Sequence, residues 1–169
     1  MKFIDSSFKI IPQESGINGL YKHVERVARI SYKSEDKITD GSAEKMVNKL
    51  IENKHLSCLE HGTIYLHRQP RGFDSKDFIK FVDKYSKNEY SKCYTNIKSV
   101  TDTVEALSDC YVTTNWRVII ENNWHNDLVY MCEPTEFHEK RYTVKFIWPI
   151  GIVRDALRHR RFNNTRPLS

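Results

Sequence analysis

The segment from Arg141 to Arg161, RYTVKFIWPIGIVRDALRHRR, constrains the fold more than any other part of the chain. Apolar and polar residues alternate before a proline and a glycine, which is typical of a strand that ends in a turn. Beyond the turn, Ile150, Val153 and Leu157 recur at helical spacing and predict one buried helix face. The segment therefore predicts a core strand that is followed by a short helix.

Basic residues occupy another face of this predicted helix, at Arg154, Arg158 and Arg161. Guanidinium groups bind phosphate or carboxylate oxygens two at a time, so this face is a candidate polyanion site. Cations near a helix C-terminus also interact favourably with the macrodipole, so a solvated basic face is the alternative. Residues 140–169 hold eight Lys or Arg and one acidic residue, a net charge of +7, while the rest of the chain sums to −2. Such local basicity favours a discrete anion site over a surface that coats nucleic acid.

Length and composition predict one domain over residues 1–169, with a core of its own. The chain has no apolar run near 18 residues and no export signal at its start, which predicts neither a membrane span nor secretion. Its four cysteines have no framework spacing and are predicted to be free thiols in the reducing cytoplasm: Cys58, Cys93, Cys110 and Cys132.

Hydrophobic periodicity predicts strands over residues 2–11, 63–67 and 110–114, and helices over residues 17–32, 42–53, 115–122 and 124–132. Ser42 and Asn115 are predicted N-caps. A further helix is predicted from Ser75, with an apolar face of Phe78, Ile79, Val82 and Tyr85. Residues 68–108 are otherwise the least informative part of the chain.

His55, Cys58 and His61 are residue types that can bind zinc. Structural zinc sites take four ligands in paired short spacings, and no second cluster is evident, so no metal is predicted. The chain also lacks a P-loop, a G-x-G-x-x-G motif and an H-E-x-x-H motif. With only six glycines, phosphates would be bound by side chains and helix ends.

Three blocks of the chain resemble, in the same order, the flavin-dependent thymidylate synthases. The triplet Arg158-His159-Arg160 is similar to the family's RHR signature, and residues 55–61, HLSCLEH, are similar to its H-x-S-x-x-E-H stretch. Residues 28–34, ARISYKS, are similar to the end of its first helix. The resemblance covers residues 1–67 and about 109–161, so residues 68–108 are a predicted insertion. The family's C-terminal part, which adds flavin contacts and an Arg that engages uracil, is missing after Ser169.

The resemblance implies an α+β fold, with helices packed on a mostly antiparallel sheet. It implies an enzyme that reductively methylates dUMP to dTMP, with methylenetetrahydrofolate as carbon donor and FAD relaying hydride from NADPH. The partners would be these small molecules and further copies of the chain, because the family works as a homotetramer with sites between subunits. A cytoplasmic location is expected.

The resemblance also assigns site residues, although no catalytic one. It implies FAD contacts from His61, Thr63, Arg158, His159 and Arg160. It implies dUMP contacts from Asp155, Ala156, Leu157, Arg158 and Ser169. Asp155 is shorter than the family's usual Glu or Gln, and Ser169 stands one residue later than the family's nucleotide-binding Ser.

Two other functions remain open. A non-catalytic remnant would keep the family fold and the oligomer without the cofactor, and the missing C-terminal Arg favours it over full activity. A basic nucleic-acid-binding module would use the RHRR run and nearby aromatic residues, and its affinity would fall steeply with salt. Arg117, on a predicted helix, is either a site-lining residue or a surface residue.

Overall fold

A computed structural model of the chain describes residues 5–70, 75–99, 105–156 and 158. The strands are β1 (Ser7–Ile11), β2 (Thr63–Arg68), β3 (Lys92–Ser99), β4 (Glu105–Asn115) and β5 (Thr143–Ile147). The helices are α1 (Gly16–Tyr32), α2 (Ser42–Glu52), α3 (Ser75–Ser86), α4 (Trp116–Glu121) and α5 (Ile150–Ala156). Short 3₁₀ helices span Glu35–Lys37, Leu56–His61 and His125–Tyr130.

The predicted α+β class is confirmed, with helices packed against antiparallel sheets. β1 pairs with β5 in one sheet, and a second sheet has the order β2-β4-β3. The chain divides into two compact units. The first unit is drawn from residues 1–61 and 141–169, and the second unit from residues 62–140. The single domain and the insertion over 68–108 stay predictions.

The first unit is centred on α1, whose predicted apolar face is confirmed. Leu20, Val24 and Ala28 are fully buried, because their spacing brings them to one side of the helix. Lys33 ends α1 in the left-handed conformation. The predicted N-cap role of Ser42 is wrong: Gly41, at a φ of 74°, occupies that position, and the Ser42 hydroxyl is used in a tertiary contact described below.

The strand predicted at residues 142–147 is present as β5, Thr143–Ile147, but its predicted position in the core is wrong. In the pairing of β1 with β5, Phe8 lies opposite Phe146, and these side chains are 70% and 48% exposed. Exposure does not alternate between the two faces: Ile147, on the opposite face, is 43% exposed, and Ile11 is the one buried residue of the two strands. Of the stripe predicted on the helix that follows, Val153 of α5 is half-buried, while the side chains of Ile150 and Leu157 lie outside what the structure describes.

The second unit is organised by the three-stranded sheet. β2 alternates as predicted, with Ile64 and Leu66 fully buried. On α3, Ile79 is exposed and Phe81 is buried, contrary to the prediction, because the buried positions follow Phe78 at steps of three and four. The predicted cap of α4 is confirmed: the Asn115 side chain accepts a hydrogen bond from a backbone N–H at 3.0 Å.

The polar stretch before residue 110 holds a long strand pairing that periodicity did not predict. β3 and β4 pair over their whole lengths, with an irregularity between Asn96 and Ile97. The predicted helix over 124–132 is a 3₁₀ helix instead. In the part of the chain that the structure describes, no helix combines the length and the apolar character needed to cross a bilayer.

Candidate functional site

His61 is the one member of the predicted FAD site whose chemistry the structure defines. It ends the 3₁₀ helix Leu56–His61 and is half-buried. Burial, with a smaller contribution from His23, lowers the pKa of His61 from 6.5 to about 4. The ring is therefore neutral at pH 7, so it can offer a hydrogen bond but no charge to a ligand.

His23, which sequence reasoning missed, links α1 to the strand that leads to α5. It is buried, and its Nε2 atom lies 2.8 Å from the hydroxyl oxygen of Thr143 at the start of β5. Burial also lowers the pKa of His23. The signal in the sequence was a polar residue between Leu20 and Val24 on the buried face of α1. Two neutral histidines thus belong to the same unit as the basic C-terminal segment.

Two of the three blocks that resemble the family touch each other in the structure. The hydroxyl of Tyr32, in the block 28–34, lies 3.1 Å from Nδ1 of His55, in the block 55–61. Both side chains keep access to solvent, and Tyr32 is 42% exposed. This contact joins the end of α1 to the loop that precedes the 3₁₀ helix Leu56–His61.

Arg29, the arginine of the first block, is engaged within the fold. Its Nε and one terminal nitrogen donate to Oε1 of Glu25, at 3.2 and 3.0 Å. Glu25 is 2% exposed, and the Ser42 hydroxyl lies 3.0 Å from its other oxygen. A buried carboxylate requires such partners, so these residues couple α1 to α2 and are not available to a ligand.

The structure describes the predicted dUMP site only in part. Asp155 and Arg158 are exposed, Ala156 is half-buried, and the Arg158 N–H donates to the Asp155 carbonyl at 3.2 Å. No residue in the described ranges forms an ion pair with Arg158. Leu157, His159, Arg160 and Ser169, together with Arg161 of the predicted basic face, lie outside the described residues.

Thr63 lies in the second unit, where it is half-buried and opposite Asn115 in the pairing of β2 with β4. The strand begins at Thr63, whereas His61 belongs to a 3₁₀ helix, so strand alternation does not relate the two side chains. The FAD contact of Thr63 depends on the resemblance alone.

The side chains that were considered as zinc ligands have other environments in the structure. His55 contacts Tyr32, and Cys58 is buried with a pKa raised by that burial. Across the described ranges, no group of three or more His, Cys, Asp or Glu side chains is arranged to bind a metal ion. Arg117, the other open assignment, donates to Glu121 on its own helix at 2.8 Å.

Among the described residues of the second unit, Cys132 and His138 most resemble a catalytic nucleophile with its general base. The sulfur lies 3.9 Å from Nε2 of His138. Nδ1 accepts a hydrogen bond from the Thr135 N–H at 3.0 Å, so Nε2 carries the proton and donates to the Leu66 carbonyl at 3.1 Å. Burial raises the pKa of Cys132 and lowers that of His138. Both groups are neutral, so the pair is not an activated thiolate.

Tyr85 and Asp127 form a buried polar contact that stabilises the second unit. The Tyr85 hydroxyl donates to Asp127 at 2.8 Å, and Lys84 forms an ion pair with the same carboxylate. The Lys84 ammonium also lies 5.0 Å from the ring of Trp124. Burial and the nearby carboxylate raise the pKa of Tyr85, so the phenol stays protonated and acts as a structural donor.

Comparisons of the chain with protein-family models, with curated proteins and with solved structures found no match. A function must therefore be inferred from the residues of the chain itself.

Proposed function

We propose that this chain is a flavin-dependent thymidylate synthase, which reductively methylates dUMP to dTMP in the cytoplasm. The observation that carries the proposal is which segments of the chain form the first unit. Its residues include the blocks 28–34 and 55–61 and also Arg158 of the third block, although residues 62–157 separate the second block from the third. The residues 62–140 form a compact unit of their own, and the predicted insertion, residues 68–108, lies within it.

Two contacts support this assembly of the blocks. Tyr32 and His55 join the first two blocks at 3.1 Å. His23 contacts Thr143 at 2.8 Å and so attaches β5, the strand that precedes α5 and Arg158, to the helix that carries the first block. Such long-range polar contacts are specific, because each requires one particular arrangement of helix and strand.

The described residues fit the chemistry of FAD and dUMP binding. Arg158 presents an exposed guanidinium, which can form two parallel hydrogen bonds to a phosphate. His61, neutral at pH 7, can donate one hydrogen bond without repelling the guanidinium. The bound flavin would supply hydride transfer from NADPH, and methylenetetrahydrofolate the carbon. The role of the chain is to neutralise phosphates and orient the rings.

The exposed apolar face of the β1–β5 sheet supports the homotetramer that is part of this proposal. Side chains on this face are 48 to 70% exposed: Phe8, Ile10, Tyr142 and Phe146. Contiguous exposed apolar surface marks protein interfaces, and an isolated two-stranded sheet is marginally stable without a further partner. A second copy of the chain would cover this face.

The proposal is tested by flavin binding and its dependence on Arg158. We expect the purified protein to show flavin absorption bands after addition of FAD and dUMP, near one flavin per chain. Arg158→Ala should abolish this binding, because FAD loses a phosphate ligand. Arg26→Ala, which removes an exposed arginine from α1 of the same unit, should bind FAD like the parent.

Each alternative gives a different result in the same experiments. A protein that takes up no FAD, or an Arg158→Ala variant as yellow as the parent, would contradict the proposed site. FAD binding without dTMP formation from dUMP, methylenetetrahydrofolate and NADPH would identify a non-catalytic remnant. A nucleic-acid-binding module would bind an oligonucleotide with affinity that falls steeply with salt, whereas binding of a mononucleotide depends much less on salt.

A further inference from the structure

Cys93 and Cys110 bring two sulfur atoms into contact in the second unit. Their Sγ atoms lie 3.2 Å apart across β3 and β4, and both are free thiols. Cys93 is opposite Val112 in the pairing, and Cys110 is opposite Thr95. The two cysteines are therefore diagonal neighbours on the same face of the sheet.

The surroundings make the two thiols chemically different. Cys93 is half-buried, and hydrogen bonds from the Cys110 thiol and from Ser86 at the end of α3 lower its pKa. Cys110 is fully buried, and its contact with Cys93 together with burial raises its pKa. A reagent can therefore reach Cys93, and Cys93 is the thiol that ionises first. Cys110 is buried beside it and keeps its proton. An accessible thiolate beside a second thiol is the arrangement of redox-active cysteine pairs.

We propose that Cys93 and Cys110 are a redox-active pair, which a hydroperoxide oxidises to a reversible intramolecular disulfide. This inference depends on the β3–β4 pair alone and is independent of the proposed flavin chemistry. Diagonal positions in an antiparallel sheet have Cα atoms about 7–8 Å apart, beyond the usual disulfide range of about 4.4–6.8 Å. The bond therefore requires the backbones of the two strands to shift closer together, and the strain that this leaves makes the disulfide readily reduced.

The oxidation proceeds in two balanced steps. The Cys93 thiolate attacks one peroxide oxygen, the O–O bond breaks, and hydroxide leaves as water with the proton that the thiol released. The Cys110 sulfur then attacks the resulting Cys93 sulfenic acid, the S–O bond breaks, and a second water leaves with the Cys110 proton. Two electrons pass from the sulfurs to the peroxide, so two thiols and one hydrogen peroxide give one disulfide and two waters.

Peptide mapping of the unmodified chain tests this directly. Cleavage after Lys92, Lys98 and Arg117 places Cys93 in the peptide 93–98 and Cys110 in the peptide 99–117. After equimolar hydrogen peroxide, we expect these two peptides to be linked and 2 Da lighter than their sum, as for any disulfide. Reduced glutathione should restore both thiols. Alkylation of both thiols after peroxide treatment, or a linkage that glutathione cannot reverse, would overturn the proposal.

Variants separate the roles of the two thiols. In Cys110→Ser, which keeps a hydrogen-bond donor beside Cys93, Cys93 should stop at the sulfenic acid and be trapped by dimedone, whereas in Cys93→Ala the peptide with Cys110 should stay unmodified. Cys58 is the internal control, because burial raises its pKa. We expect Cys93 to react at least about tenfold faster than Cys58, since a difference of one pKa unit changes the thiolate fraction tenfold. Equal rates, or no sulfenic acid in Cys110→Ser, would contradict the assignment.

Discussion

Replacing Glu25 by alanine should destabilise the first unit more than any change to a surface ion pair. The Glu25 carboxylate is 2% exposed and accepts two hydrogen bonds from Arg29 and one from the Ser42 hydroxyl. Its removal leaves the Arg29 guanidinium, only 16% exposed, without an acceptor. The contact between α1 and α2 through Ser42 is lost as well.

The expected cost follows from this geometry. Breaking a buried ion pair by removing one partner costs about 3–5 kcal/mol, because the other charge stays buried without compensation. Arg29 keeps some access to water, so we take the lower end, about 3 kcal/mol. For a chain of this size, 1 kcal/mol lowers the melting temperature by about 2–4 °C, so Glu25→Ala should melt about 6–12 °C below the parent.

Thermal and urea unfolding of four variants would measure this effect: Glu25→Ala, Arg29→Ala, the double variant of both, and Glu14→Ala. Glu14→Ala is the matched control, since Glu14 pairs with Lys22 at 3.1 Å but both side chains are more than 60% exposed. We expect it to cost about 0.5 kcal/mol or less. The double variant of Glu25 and Arg29 should lose less than the sum of the single losses. A loss below about 1 kcal/mol for Glu25→Ala, or a loss equal to that of Glu14→Ala, would refute the reasoning.

Two further predictions concern a helix cap and a buried imidazole. Asn115→Ala should cost about 1 kcal/mol in urea unfolding, because a backbone N–H loses its acceptor, and Asn115→Asp should recover most of it. A full loss in both variants would contradict the cap. The unfolding free energy should fall between about pH 6.5 and about pH 4, because unfolded His61 binds a proton that the folded state rejects. His61→Gln should reduce this slope, while the exposed His125→Gln should not; an unchanged slope in His61→Gln would disprove the assignment.

Local rules predicted the elements whose structure depends on near neighbours. The buried face of α1 followed from the spacing of Leu20, Val24 and Ala28, because a helix brings such positions together whatever lies beyond it. The cap at Asn115 followed from the residue type and its position before an apolar run. Both features are confirmed.

The predictions failed where burial depends on distant segments. The strand over 143–147 was predicted from its alternation, yet its position in a two-stranded sheet leaves Phe146 exposed. β3 is rich in polar residues and was not predicted, because its stability comes from pairing with β4. On α3, Phe78 and Tyr85 are buried as predicted, but Phe81 is buried where Ile79 was expected.

The sequence by itself determined the class of the fold, the existence of most helices and strands, and the basic charge near Arg158. The family and its site residues stay predictions from the resemblance. Only the tertiary structure brought His23 against Thr143, 120 residues away, and Cys93 against Cys110. The physical reason is that periodicity and capping act between neighbours in the chain, whereas a histidine is desolvated, or a thiol acquires a partner, only when distant segments pack together.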